Sequence, residues 1–108
     1  MAGTDVKLTS HKDERLKEIS VQLKQGMTKA CLLVERDAKR NAPVDTGRLR
    51  SSITNRLDID GNQIVGVVGT NVEYASFLEH GTSKMPAHPF LFPALEANRE
   101  KIKDLLKE

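Results

Sequence analysis

The stretch from Val72 to Leu95 limits the folds open to this chain more than any other. It holds the only tyrosine, all three phenylalanines, two of the three histidines and three of the four prolines. In a chain otherwise rich in lysine and glutamate, such a concentration of aromatic and rigid residues marks a packing hinge, a contact surface, or both. Tyr74, Phe77 and Leu78 stand at helical spacing and predict a short helix over 74–80, stopped at Gly81 in a left-handed cap. Pro86 and Pro89 hold the residues before them extended, and Pro93 suits the first turn of a following helix, where its missing N–H is not needed. The result is a short helix, an extended arm of about ten residues and a new helix, an arm longer than most connections in a compact domain.

A chain of 108 residues is one domain, spanning 1–108, and is long enough to bury a core without metals or disulfides. The single cysteine, Cys31, excludes an internal disulfide and has no partner set for zinc, so a reducing compartment is expected. No run reaches the length of a membrane span and the N-terminus has no apolar signal core, so a soluble protein without a leader is expected, with no membrane partner. The net charge of +2 is spread along the chain, which argues against binding nucleic acid by bulk electrostatics.

Residues 1–9 read as a loose N-terminus, although Val6 and Leu8 alternate as an edge strand would. A long helix is expected from Ser10, its N-cap, with Asp13 and Glu14 in the first turn. Its apolar stripe runs Leu16, Ile19, Leu23, Met27, Ala30, Val34 and Ala38, flanked by Cys31 and Leu33, and Pro43 ends it by Ala42. Such a helix would measure about 45 Å against a domain radius of gyration of about 13 Å, so it should overhang the domain or bend at Gly26. Pro43, Asp45, Thr46 and Gly47 form a turn, with Asp45 bonding backbone N–H groups and Gly47 supplying a positive φ.

A hairpin follows. Leu49, Ser51, Ile53, Asn55, Leu57 and Ile59 share one face of its first strand, and Asp60-Gly61 is the turn, which sets Leu57 opposite Ile64 and Ile53 opposite Val68. The other face carries Arg48, Arg50, Ser52, Thr54, Arg56 and Asp58, with Val65 and Val67 on the outer side of the second strand, where apolar residues call for a cover. An amphipathic helix starts near Pro93 with Leu95, Asn98, Ile102 and Leu105 or Leu106 on one face. The fold class is α+β: a small antiparallel β-sheet built on a hairpin, packed against one long N-terminal helix and a shorter C-terminal helix, with an extended Pro-rich arm between.

Candidate chemistry is thin. Glu79, His80 and His88 are donor types for metals or acid–base work, but their spacing matches no site, and hydrogen bonding or capping within the arm is the better expectation. Cys31 has no neighbouring histidine or helix N-terminus to activate it. Ser51 and Ser52 lie in no nucleophile elbow, and Gly66 and Gly69 form no phosphate loop. No catalytic residue, cofactor or metal site is expected, and so no enzyme. An alternative is a nucleic-acid-binding module using the Arg48, Arg50 and Arg56 strand face, weakened by Asp58 on that face and by the lack of interleaved aromatics.

Two blocks carry a resemblance: Ala42-Pro43-Val44-Asp45-Thr46-Gly47-Arg48-Leu49-Arg50-Ser51-Ser52-Ile53, and Val68 to Thr82 continuing to Pro89-Phe90-Leu91-Phe92-Pro93-Ala94-Leu95. In this order they resemble the neck or minor tail proteins of long-tailed bacteriophages and prophages, over about residues 10–106. The resemblance implies a structural protein of virion assembly, a head-tail joining or tail-completion component that forms a homo-oligomeric ring against connector or tail proteins. It also implies a place in the virion and, during assembly, in the host bacterial cytoplasm, with DNA passing through the ring without specific binding. His80 stands where a small or acidic residue is usual. The candidate partner interface is then Tyr74, Glu79, His80, Thr82, Lys84, Met85, Pro86 and His88 on the arm, with Val65 and Val67 on the sheet.

Overall fold

The structure, a computed structural model, describes residues 4–11, 21–42, 47–60 and 63–106. It is α+β, as the sequence predicts. Strand β1 (Thr4–His11) precedes helix α1 (Val21–Asn41), the short helix α2 (Arg48–Ser52), strands β2 (Thr54–Asp60) and β3 (Gln63–Thr70), and helices α3 (Ala75–His80), α4 (Leu91–Ala97) and α5 (Arg99–Leu105). The three strands form one antiparallel sheet in the order β1-β3-β2.

The N-terminus is not loose. β1 pairs with β3 from Thr4 opposite Thr70 to His11 opposite Gln63. Ser10, expected as a helix cap, lies inside this strand opposite Ile64. Only a partner strand makes Thr4–His11 extended, because its local alternation is weak. The expected first turns of the helix, with Leu16 and Ile19, lie outside the described residues.

Where α1 is described, its stripe is the core. Leu23, Met27, Ala30, Val34 and Ala38 are buried at steps of three and four, with Cys31 beside them. They pack on the sheet face made by Leu8, Ile64 and Val68, closed by Ile53, Phe90, Leu91, Ala94 and Ile102. Gly66, at the centre of that face, lets α1 sit down on the strand: a Cβ there would collide with Cys31 Sγ and Met27 Sδ. Gly26 does not interrupt α1. Its missing side chain admits the end of α5, since a Cβ would strike the Leu105 carbonyl.

Three expectations about the hairpin are corrected. Residues 48–52 are a helical turn, not the start of a strand. Leu49 and Ile53 are four apart, a spacing that serves a helix as well as a strand face, and the Ser51 and Ser52 hydroxyls bond back to the carbonyls of Arg48 and Leu49. The register is shifted by two residues: Leu57 faces Gly66, Ile59 faces Ile64 and Asn55 faces Val68, with Asp60 opposite Gln63, and the Asp60-Gly61 turn expected there falls on Gly61, outside the described residues. A shift of two preserves which side chains share a face. Leu57, however, is 36% exposed and Ile59 56%, whereas their neighbour Ile64 on the central strand is fully buried, so these two residues of the edge strand do not join the core.

The C-terminal helix starts at Leu91, with Pro93 in its first turn, and breaks at Asn98 into α4 and α5. Asn98 is buried, and its amide donates to Asp37 Oδ2 on α1 (2.7 Å) and to the Ala94 carbonyl (2.8 Å). That pair of bonds ties the break to α1. The Asn98 amide, followed by Arg36 and Arg40, holds the Asp37 carboxyl below its ordinary range.

Candidate functional site

The segment from α3 to α4 is a closed loop held at its base by one carboxylate. Glu79, on the last turn of α3, is 8% exposed. Its Oε1 accepts the backbone N–H groups of Phe90 (3.1 Å) and Leu91 (2.9 Å), and its Oε2 accepts that of Phe92 (3.1 Å). The first N–H groups of a helix have no partner within it, and here a residue from another helix caps them. All three bonds converge on one side chain, so the Glu79 carboxylate is engaged inside the loop. This is the hydrogen-bonding and capping part expected of Glu79.

The arm between is folded back on itself, not extended. Thr82 and Met85 exchange backbone hydrogen bonds (2.8 and 3.3 Å) around a tight turn, and the Lys84 N–H reaches Thr82 Oγ1 (3.2 Å). The His88 N–H donates to the Leu78 carbonyl (2.7 Å), returning the chain to α3. Gly81 starts this path with φ 77° and ψ 175°, a positive φ as expected but outside the left-handed helical region. Its N–H bonds the Phe77 carbonyl (2.7 Å). The Asn41 amide at the end of α1 donates to the Phe90 carbonyl (3.4 Å), fixing the loop base to the core.

The loop displays side chains outward. His80, Thr82, Lys84, Pro86 and His88 are exposed and Met85 is half-buried. Two further residues join them that the candidate interface did not include. Phe77 is 53% exposed and Phe92 56%, whereas Phe90 is fully buried. Aromatic residues read as core by composition, and only the direction of each helix face separates Phe90 from Phe92. Tyr74 packs partly against the core, with the Arg48 guanidinium 5.6 Å above its ring.

The other proposed interface residues are elsewhere. Val65 and Val67 lie on the outer sheet face, opposite the helices, so the structure does not bring them to the arm. Val67 is 3% exposed, buried apart from the main core cluster, between its register partners Lys7 and Arg56, whose long stems can cover it. Of the turn residues, Gly47 has φ 72° and caps α2, while Pro43, Asp45 and Thr46 lie outside the described residues. Beside this turn, Ser52 and Thr70 share a hydroxyl contact (2.6 Å), and Thr70 Oγ1 accepts the Val72 N–H (3.1 Å).

The three arginines do not form a strand face. Arg48 and Arg50 are on α2, and Arg56 is on β2 beside Asp58 (3.2 Å). Arg48 forks onto the Glu73 carboxylate (3.2 and 3.0 Å), which raises the arginine's pKa. Glu73 is lowered by its own backbone N–H and then by Arg48. Cys31 is buried in the core, and desolvation followed by Glu35 pushes its thiol up to about 11, far from a nucleophile's range. Among the described residues no group of three His, Cys, Asp or Glu side chains could hold a metal, and no helix is long and apolar enough to cross a membrane.

A family model matches residues 7–81, more than half of the chain, and is described as "Bacteriophage HK97-gp10, putative tail-component". The chain belongs to the HK97-gp10-like family. The match covers the family member from within β1 to Gly81, so the sheet, α1, α2 and α3 are its shared frame, and α4 and α5 lie beyond it. The Pro-Phe-x-x-Pro-Ala-Leu block is likewise beyond the match. No match is found among curated proteins or solved structures. The HK97-gp10-like protein is a structural phage component, and the clamped loop with the exposed Phe77 and Phe92 at its two ends begins where the match stops.

Proposed function

We propose that this tail-family protein joins the head-tail junction as a neck or tail-completion subunit, assembling as a ring of its own copies on neighbouring connector or tail proteins. The clamped loop from α3 to α4 is the contact surface. The observation that carries this is the pairing of Phe77 and Phe92, both more than half exposed, with a loop held rigid by Glu79. Exposed aromatics on a preorganised segment are what hot spots are made of, because little conformational freedom is lost on binding. Such a ring would let DNA pass without gripping it, since Arg48 and Arg56 are each held by a carboxylate. The protein would fold in the host cytoplasm and end in the virion.

The test is complementation of a phage lacking this gene with Phe77→Ser, Phe92→Ser and the double variant, scored by electron microscopy of the particles. The double variant should fold within about 1 kcal/mol of the parent, since both rings are solvent-facing. It should yield separated heads and tails. Joined, infectious particles at the parental level would remove the loop from the contact surface.

A further inference from the structure

Among the described residues β2 stands at an edge of the sheet, with no strand paired to its outer side. Leu57 and Ile59 lie on the helix-covered face of the sheet but remain at 36% and 56% exposure. Leu32 is 50% exposed and stands three residues back along α1 from Glu35, whose carboxylate takes the Asn55 amide (3.1 Å). Going back along α1 from Glu35 and forward along β2 from Asn55 leads to the same end of the sheet, because Cys31 and Met27 lie over Gly66, the register partner of Leu57. An apolar strip therefore borders a strand edge that no described strand pairs, a combination that soluble proteins usually blunt or cover.

We infer that this edge is covered by the β2 edge of a second copy, in an isologous antiparallel pair centred on Leu57. The charge pattern selects this occupant. With Leu57 opposite its own copy, Arg56 of each chain falls opposite Asp58 of the other, so the two-fold axis creates two cross-strand ion pairs from one Arg-x-Asp sequence. On the other face, Leu57 meets Leu57 and Ile59 meets Asn55, extending the apolar strip across the axis. A shift of the pairing by two residues would break this: Arg56 would meet Arg56, or Asp58 would meet Asp58. The sheet becomes six-stranded and its β2 edges disappear.

An isologous contact closes at two copies and cannot propagate a ring, so it is distinct from the ring contacts of the proposed function and does not depend on them. It holds unassembled subunits in a form whose sticky edge is hidden. The interface is small by the standard of permanent dimers, which suits a form that must release its subunits.

Sedimentation equilibrium on the purified protein tests this with Arg56→Glu, Asp58→Lys and their mixture, each checked for fold by circular dichroism. The wild type should form a dimer and nothing larger. Each single variant turns both cross-strand pairs repulsive and should weaken the dimer at least about tenfold. Mixing the two variants should restore it. In the mixed dimer the introduced glutamate of one chain faces the introduced lysine of the other, and the native Asp58 of the first faces the native Arg56 of the second. A wild-type monomer at high concentration, a ring-sized species, single variants that dimerise like the wild type, or a mixture that stays monomeric would each overturn the inference. A ring-sized species would do so while leaving the proposed function standing.

Discussion

Replacing Glu79 tests whether one carboxylate holds the loop. In Glu79→Ala the N–H groups of Phe90 and Leu91 lose their acceptor at fully buried residues, and the Phe92 N–H loses its acceptor at an exposed one. An unsatisfied buried donor costs about 1 to 3 kcal/mol, and the Phe92 N–H can turn to water, so the loss should be roughly 3 kcal/mol. For a domain of this size that corresponds to a fall in the thermal midpoint on the order of 10 °C. Glu79→Met separates hydrogen bonding from volume, since it fills the space without an acceptor and should be nearly as destabilising as alanine. Glu79→Gln keeps one oxygen for Phe90 and Leu91 but turns an NH2 toward the Phe92 N–H, and should cost about 1 to 2 kcal/mol. Urea unfolding followed by circular dichroism gives these differences, and hydrogen exchange at residues 90–92 should rise first. A methionine variant as stable as the wild type would refute the reasoning, because the acceptors would then contribute nothing.

The Asp37 carboxyl is lowered in the folded protein by Asn98 and then by Arg36 and Arg40, so its contribution to stability is complete above the unfolded pKa and is lost as pH falls through the folded value. Asn98→Ala should therefore destabilise the protein near neutral pH and flatten the acid limb of its stability curve; an unchanged acid limb measured by urea unfolding from pH 7 downward would separate Asp37 from this pair. Gly66→Ala drives a methyl into Cys31 Sγ and Met27 Sδ and should cost about 1 to 3 kcal/mol, while adding Cys31→Ala should recover part of that loss. Strict additivity of the two substitutions in chemical denaturation would mean that α1 does not rest on Gly66.

Some of this protein is determined by neighbours along the chain. The stripe from Leu23 to Ala38 needs only helical periodicity, the end of α1 needs Pro43, the positive φ after α3 needs Gly81, and the start of α4 needs only that Pro93 fit a first turn. The absence of an activated thiol at Cys31 follows from residue types alone, and burial then reinforces it. These features depend on interactions within a few residues, and a sequence displays those directly.

Other features depend on groups that the fold brings together. β1 is a strand because β3 supplies its partners, which overrides the weak local pattern that left residues 1–9 loose. Leu49 and Ile53 fit a helix and a strand equally, and the hydroxyl bonds of Ser51 and Ser52 with the burial of Leu49 decide for α2. Asp60-Gly61 is a good turn in isolation, but the strands pair two residues out of the register it sets, with Asp60 opposite Gln63. Leu57 reads as core in any alternating pattern and is partly exposed because β2 is an edge strand beside β3, the strand whose Ile64 and Val68 are fully buried. Glu79 reaches amides 11 to 13 residues further on because the arm reverses the chain, and no local rule gives that distance. Sequence determined which elements form; the three-dimensional packing decided which of their side chains are buried, capped or left outside, because those outcomes depend on distances between residues far apart in the chain.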